Sequence, residues 1–133
     1  MQEVSVVIPN FNGMAYLDGV LSSLERQTIR NFEVILVDNG STDGSCAFVS
    51  AEYPWVHMIQ LPENYGFSRA VNEGIRAARS PYVLLLNNDT EAEPDFLEEM
   101  VAALRRHKKA FSCQAKICLL YTSDAADELD GVD

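Results

Sequence analysis

Short runs of apolar residues alternate along the chain with segments in which apolar residues recur every three or four positions. The runs are rich in β-branched residues, which is typical of buried parallel strands, and they predict strands at residues 4–8, 32–37, 56–61 and 82–86. The remaining segments predict helices at residues 15–27, 45–52, 67–78 and 94–104. We expect Pro9 to end the first strand, because proline cannot donate a backbone hydrogen bond.

This alternation of strands and helices places the chain in the α/β class. Successive strand–helix–strand units favour one mainly parallel sheet with helices packed on both faces. In such sheets, ligands bind beside the carboxyl ends of the strands. Three polar segments follow predicted strands at that edge: P-N-F-N-G after the first strand, D-N-G-S-T-D-G after the second, and N-N-D-T after the fourth.

Composition and charge narrow the classes of function. The chain has 133 residues, a length that fits one globular domain. Its formal net charge of −10 argues against a nucleic-acid partner. Its three cysteines, Cys46, Cys113 and Cys118, include no C-x-x-C pair, so the sequence predicts neither a disulfide framework nor a zinc site. We see no signal peptide and no apolar run long enough to cross a membrane, so we expect a cytoplasmic protein without a transmembrane segment.

Two carboxylates directly follow predicted strands. Asp38 can accept hydrogen bonds from the edge of a base or from ribose hydroxyls, but the N-G-S-T-D-G that follows it is also good material for a turn or a helix cap. Asp89 can hold a hard divalent cation whose shell is completed by diphosphate oxygens and water. The alternative for Asp89 is again a turn, or a cap for the helix that starts near Pro94.

A third candidate is the helix start at Gly66. The first N–H groups of a helix and its positive dipole end suit a phosphate group, and Arg69 can add a charged hydrogen bond. The alternative is an ordinary helix start with a surface arginine. The chain contains neither G-x-x-x-x-G-K-[ST] nor G-x-G-x-x-G, which argues against P-loop and Rossmann dinucleotide sites.

Five motifs, taken in order, resemble those of the family 2 glycosyltransferases, particularly the rhamnosyltransferase-like branch that builds bacterial surface polysaccharides. They are V-S-V-V-I-P-N-F-N-G, Q-T-I-R-N-F-E-V-I-L-V-D-N-G-S-T-D-G, N-Y-G-F-S-R-A-V-N-E-G, L-L-L-N-N-D-T and P-D-F-L, and together they span residues 4–104. The resemblance implies a GT-A fold, which is a Rossmann-like, mainly parallel sheet. It also implies that this chain is a truncated form of that fold.

The resemblance also assigns site residues by position. The loop that borders the nucleotide base would be formed by Pro9, Asn10, Phe11 and Asn12, with Phe11 able to stack on the base. The residues implied around the nucleoside and phosphates are Asp38, Gly66, Arg69, Asn72 and Asn88. Asp89 would hold the cation, Mn²⁺ or Mg²⁺. Many relatives have D-x-D or D-D where this chain has Asn87-Asn88-Asp89, so the first carboxylate is missing.

The implied reaction is inverting transfer of a sugar from a dTDP- or UDP-sugar to a saccharide or lipid-linked acceptor. The intact enzyme would be cytoplasmic or peripheral at the inner membrane. Two other classes of protein are alternatives to a glycosyltransferase. A non-catalytic nucleotide-binding module would bind the nucleotide without turnover. A nucleotidyltransferase is disfavoured, because P-N-F-N-G-M is neither glycine-rich nor basic.

The C-terminal part departs from the resemblance. The family places its catalytic base beyond the matched segment, so we expect residues 1–117 to bind the nucleotide sugar and assign no catalytic residue. Residues 118–133 begin C-L-L-Y-T-S-D-A-A-D-E, which resembles the translation of a transposon-end adapter. We therefore expect this tail to be foreign to the family and a product of truncation; the alternative is a genuine acidic tail.

Overall fold

The computed structural model describes residues 2–109 and 112–114. Within them, strands and helices alternate in the order β1 (Val4–Asn10), α1 (Met14–Glu25), β2 (Phe32–Asp38), α2 (Ser45–Glu52), β3 (His57–Gln60), α3 (Phe67–Ala77), β4 (Tyr82–Leu85) and α4 (Phe96–Arg106). All four predicted strands and all four predicted helices are confirmed, with boundaries shifted by one or two residues at most ends. The tail predicted at residues 118–133 lies outside the described residues.

The four strands form one parallel sheet in the order β3-β2-β1-β4. Asn10 at the end of β1 lies opposite Asp38 at the end of β2. On the other side of β1, Val7 lies opposite Leu85, the last residue of β4. All four carboxyl ends therefore meet at one edge of the sheet, as the sequence predicted.

Pro9 does not end the first strand, contrary to our expectation. It pairs in register with Val37 of β2, and β1 continues to Asn10. The carbonyl of Val7 accepts a hydrogen bond from Leu86 N–H on the β4 side, and Pro9, two residues further along, faces that same side. Because β4 has already ended at Leu85, no partner there requires the N–H group that proline lacks.

Each face of the sheet carries its own apolar core, which confirms the prediction of helices on both faces. Alternate residues of β1 and β2 pack with side chains of α1, α2 and α4 on one face; the fully buried members of this core include Val6, Ile8, Leu17, Leu21, Leu36, Val49 and Leu97. The other face packs against α3 through a smaller core of Val7, Ile35, Val37 and Ala70. None of the helices in the described part combines the length and apolarity needed to cross a membrane.

Helix α3 approaches the sheet closely at Gly74. A β-carbon built on Gly74 would overlap Val7 Cγ1 and would lie 3.1 Å from Val37 Cγ2. Only glycine allows the helix to lie this close to β1 and β2. The close approach holds the start of α3, at Gly66 and Phe67, beside the carboxyl edge of the sheet.

Candidate functional site

Asp38 ends β2 with its carboxylate buried, since only 2% of the residue is exposed. Its Oδ1 accepts hydrogen bonds from Asn10 Nδ2 at 2.9 Å and from Ser41 Oγ at 2.7 Å, and its Oδ2 accepts one from Ser41 N–H at 2.9 Å. Three donors compensate for the lost hydration of the carboxylate. The turn that the sequence left as an alternative is thus present, and Asp38 shapes it at the edge where ligands bind.

Asn10 joins the ends of three strands. Besides donating to Asp38, it accepts a hydrogen bond through Oδ1 from Asn88 Nδ2, at 2.7 Å. Asn10 is also 2% exposed, so both polar ends of its side chain are satisfied inside the protein. A β-carbon at Gly13 would overlap both Asn88 Nδ2 and Asn10 Oδ1, so this bond requires a glycine at position 13. The predicted site residues Asn10, Asp38 and Asn88 therefore form one connected network.

The loop after β1 is locked to the loop after β2 and leaves an aromatic ring exposed. Asn12 N–H donates to Ser41 Oγ at 2.8 Å, and Asn12 Oδ1 accepts from Thr42 N–H at 2.8 Å. Asn12 has a φ of 50°, a conformation that asparagine tolerates better than most residues. Phe11 beside it is 48% exposed, whereas Pro9 is half-buried. The loop therefore presents the Phe11 ring at the sheet edge.

Asp43 organises the starts of two helices, and the sequence analysis did not single it out. Its Oδ2 accepts from Met14 N–H of α1 at 3.0 Å, and its Oδ1 accepts from the N–H and hydroxyl groups of Ser45 of α2. The Ser45 hydroxyl, with these backbone N–H groups, lowers the pKa of Asp43, although some desolvation acts in the opposite direction. The pattern D-x-S before a helix is typical of a turn in which an aspartate side chain accepts from the backbone two residues on, and this signal could have identified the residue.

Asn39 is a second residue that the sequence analysis missed. Its Nδ2 donates to the carbonyl of Gly66 at 3.0 Å, and its Oδ1 accepts from Tyr65 N–H at 3.0 Å. The end of β2 is thereby tied to the loop that opens α3. Gly66 has a φ of 95°, which a side chain would strain. The position of Asn39, directly after Asp38, was its only indication in the sequence.

The predicted phosphate-side residues lie on α3. Arg69 is exposed; its guanidinium lies 4.7 Å from the centre of the Tyr65 ring, and its Nε is 3.3 Å from Glu73 Oε2. Asn72 is exposed one turn further along α3. Neither side chain touches the network of Asn10 and Asp38; both lie on the helix that borders it.

Asp89 lies in the loop after β4, and its side chain is exposed. Helix α1 and the residues that follow it hold this loop. Ser23 Oγ accepts from Ala92 N–H at 3.0 Å, and buried Gln27 donates through Nε2 to the carbonyl of Glu93 at 2.7 Å. Gln27 Oε1 also accepts from Leu97 N–H at 3.0 Å, and so caps α4. No local sequence pattern indicated that Gln27 would play this part.

The sheet order brings the two predicted carboxylates to either side of β1, since Asp38 ends β2 and Asp89 follows β4. Within residues 2–109 and 112–114, no three His, Cys, Asp or Glu side chains gather closely enough to hold a metal ion by themselves. Asp89 is the one carboxylate of the N-N-D segment, and its role as a cation ligand stays a prediction. A separate cavity, lined by Leu24, Glu25, Arg30, Phe32 and Trp55, lies at the opposite end of β2.

Comparison with known proteins places these features in a family. The sequence profile described as Glycosyl transferase family 2 matches residues 5–118. The chain is 31% identical over 113 residues to the putative teichuronic acid biosynthesis glycosyltransferase TuaG of Bacillus subtilis (strain 168), covering 82% of this chain and 44% of TuaG. Its structure is similar to that of S. aureus TarS in complex with UDP-GlcNAc, with a TM-score of 0.74 and 27% identity over 80% of this chain and 32% of TarS.

A further similar structure is the mannosyltransferase PcManGT from Pyrobaculum calidifontis in complex with GDP-Man and Mn²⁺, with a TM-score of 0.69 and 25% identity. That match covers 77% of this chain and 32% of PcManGT. These likenesses confirm the GT-A fold implied by the sequence motifs. The chain spans less than half the length of the curated relatives that it matches.

Proposed function

Because the chain belongs to Glycosyl transferase family 2, we propose that the carboxyl edge of its sheet binds a nucleoside-diphosphate sugar. The observation that carries the proposal is the network through which Asn10 joins the end of β2 to the segment that bears Asp89. This network holds Asp38 and the segment that bears Asp89 on either side of β1, and we assign these two carboxylates to the nucleoside and to the cation, respectively. Parallel α/β sheets bind ligands at this kind of edge.

In the proposed complex, the base lies against the loop of Pro9, Asn10, Phe11 and Asn12. Phe11 is 48% exposed and offers its ring for stacking, while buried Asn10 shapes the loop from behind. Asp38, whose carboxylate is buried, lies on the nucleoside side of the proposed site and holds the turn at Ser41 there. Asn88 reaches the ribose through Oδ1, since its Nδ2 is engaged by Asn10. The phosphates approach the first turn of α3, where Gly66, Arg69 and Asn72 border the edge.

We propose that Asp89 holds a divalent cation, Mn²⁺ or Mg²⁺. The donor type fits such an ion, because Asp89 presents an exposed carboxylate, which is a hard oxygen ligand. A single protein carboxylate suits a cation whose other ligands are diphosphate oxygens and water. When bound, the cation would neutralise charge on the leaving diphosphate. The complex of PcManGT with GDP-Man and Mn²⁺ supports this part of the proposal.

For the whole protein, we propose transfer of a hexosyl or rhamnosyl unit with inversion to a hydroxyl group of a saccharide or lipid-linked acceptor. The motifs of the rhamnosyltransferase-like branch favour a dTDP-sugar, and the TarS complex with UDP-GlcNAc favours a UDP-sugar. We propose that this transfer serves the synthesis of cell-surface polysaccharide, in the cytoplasm or at the inner face of the membrane. The similarity to TuaG, a putative teichuronic acid biosynthesis glycosyltransferase, supports the polysaccharide pathway. A second function, nucleotide binding without catalysis, would apply to this chain if the base lies outside it.

Calorimetry with UDP and dTDP, with and without Mn²⁺, tests the binding proposal. We expect the 133-residue chain to bind at least one of the two, and Mn²⁺ to tighten binding by about tenfold, or roughly 1.4 kcal/mol. Asp89→Ala should remove most of this gain, because it removes the carboxylate that holds the ion.

The matched control is Asp95→Ala. Asp95 is an exposed carboxylate six positions further along and makes no side-chain bond to the α4 terminus. The Asp95→Ala variant should keep the full tightening of nucleotide binding by Mn²⁺. An unchanged response in Asp89→Ala would remove Asp89 from the site, and no binding of either nucleotide would contradict the proposal as a whole.

A further inference from the structure

The hydrogen bonds that join the three strand ends have a fixed direction. A carboxylate can only accept hydrogen bonds, so Asn10 must turn its Nδ2 toward Asp38. Its Oδ1 then faces Asn88, and the side chain at position 88 must donate. Asn10 is 2% exposed, so water has little access to replace a mismatched partner. The direction of each bond follows from the charge on Asp38.

We infer that Asn10 is a positioning residue. Because Asp38 is charged and can only accept, Asn10 must turn its Oδ1 toward position 88, and the residue there must be a hydrogen-bond donor. This explains why the chain has asparagine rather than aspartate at position 88, directly before Asp89. Asn88 is held by Asn10 and fixes the start of the segment that carries Asp89, rather than acting as a cation ligand. The inference rests on the proposed function only for the role of Asp89.

The inference makes Asn88→Asp unfavourable for a specific reason. A carboxylate at position 88 would place an acceptor oxygen against Asn10 Oδ1, at a site where the present donor is 2.7 Å away. Asn10 cannot flip its amide to relieve this contact, because the flip would turn Oδ1 toward Asp38. Asn87→Asp adds the same charge one position earlier, at an exposed residue, and is the matched control.

Neutralising Asp38 should reverse this requirement. In Asp38→Asn, the new amide can donate to Asn10 Oδ1 and still accept from Ser41 N–H, provided that Asn10 flips. Flipped Asn10 then donates toward position 88, where asparagine can rotate to accept and aspartate accepts without rotation. Asn88→Asp should therefore be tolerated in the Asp38→Asn background.

Thermal unfolding of the 133-residue chain without nucleotide tests this inference independently of binding. We expect Asn88→Asp to lower the melting temperature by about 5–10 °C, and Asn87→Asp to change it by less than about 2 °C. Asp38→Asn should lower the melting temperature less than Asn88→Asp does. The double variant Asp38→Asn/Asn88→Asp should have a melting temperature close to that of Asp38→Asn. If Asn88→Asp alone fails to fold, recovery of folding in the double variant supports the inference.

An equal fall in melting temperature from Asn88→Asp in both backgrounds, or no fall in the wild-type background, would overturn the inference.

A second readout separates a positioning role from a purely structural one. Well below the melting temperature, Asn88→Asp should reduce the tightening of UDP binding by Mn²⁺ although it adds a carboxylate, whereas Asn87→Asp should keep or increase it. A stronger Mn²⁺ response in Asn88→Asp would mean that position 88 faces the cation and would contradict the inference. If the chain binds no nucleotide, the proposed function fails, and the melting temperatures still decide the inference.

Discussion

At the scale of single residues, the polar side chains at the sheet edge divide into two groups. Asn10 and Asp38 are buried and form hydrogen bonds within the protein, whereas Phe11, Arg69 and Asp89 remain exposed. In the sequence, Asp38 and Asp89 were identified by their place after strands and Arg69 by its place at a helix start, whereas Asn10 and Phe11 were identified by the family resemblance. The sequence could not separate the two groups, because the partnership of Asn10 with Asp38 depends on the register of β1 against β2.

A charged residue at the other end of the sheet makes a pH-dependent contribution to stability. Burial raises the pKa of Glu33, but the hydrogen bonds from the Ser5 hydroxyl and Arg79 N–H, with the positive charges of Arg79 and His57, outweigh it and lower the pKa below its usual value. A carboxyl with a lowered pKa in the folded state stabilises the protein above its unfolded pKa. That stabilisation is lost as the pH falls through the folded pKa.

We therefore predict that Glu33→Gln is less stable than the wild type at neutral pH and that the difference shrinks as the pH falls below about 4. Urea unfolding at several pH values measures this difference. Glu52→Gln, at an exposed position of α2, is the control and should show little change at any pH. A difference that is constant from neutral to acid pH would show that the charge of Glu33 is not responsible.

At the scale of elements, the strands and helices could be predicted because each leaves a local periodic pattern. What could not be predicted are the contacts that fix loops between elements. Gln27 and Leu97 are joined by a hydrogen bond across 70 positions of the sequence. Pro9 was misjudged for a related reason: its tolerance depends on where the neighbouring strand β4 ends, which local sequence does not show.

The cap supplied by Gln27 leads to a prediction about α4. Gln27→Leu keeps a similar volume but leaves the N–H of Leu97 and the carbonyl of Glu93 without their partner. Leaving such groups unpaired in a buried place should lower the free energy of unfolding by about 1–3 kcal/mol. Chemical denaturation measures the loss.

Thr28→Ala provides a matched control for Gln27→Leu, because Thr28 Oγ1 also links to α4, through an exposed hydrogen bond to Glu98. Its loss should be smaller, at most about 0.5–1 kcal/mol, since water can replace the exposed partner. Equal losses for the two variants would mean that the buried cap contributes nothing beyond a surface contact.

At the scale of the whole molecule, the described sheet has an open side. Strand β4 pairs with β1, and within the described residues the apolar side chains Val83 and Leu85 on β4 are 43% and 49% exposed. Ile75 on α3 is 43% exposed. Exposed apolar side chains of this kind commonly mark a surface that packs against further protein. These side chains therefore form a candidate surface for packing against further protein.

We predict that the chain binds its nucleotide without transferring sugar. Inverting transfer needs a base within hydrogen-bond reach of the acceptor hydroxyl, and Asp38 and Asp89 have other roles in the proposed site. Sugar transfer should be assayed for residues 1–117, for the 133-residue chain and for a version extended from the source genome. We expect activity from the extended version only. A comparable rate from residues 1–117 would show that the base lies within this chain.

NMR mapping of backbone amides during titration with UDP or dTDP and Mg²⁺ tests the claim that the carboxyl edge of the sheet is the nucleotide site. We predict shifts concentrated at residues 10–12, 38–41, 65–69 and 88–89, with selective broadening near Asp89 when Mn²⁺ replaces Mg²⁺. The amides around the opposite cavity, at Arg30, Phe32 and Trp55, should not move. Shifts centred on that cavity, or no shifts at the carboxyl edge at saturating nucleotide, would contradict the claim.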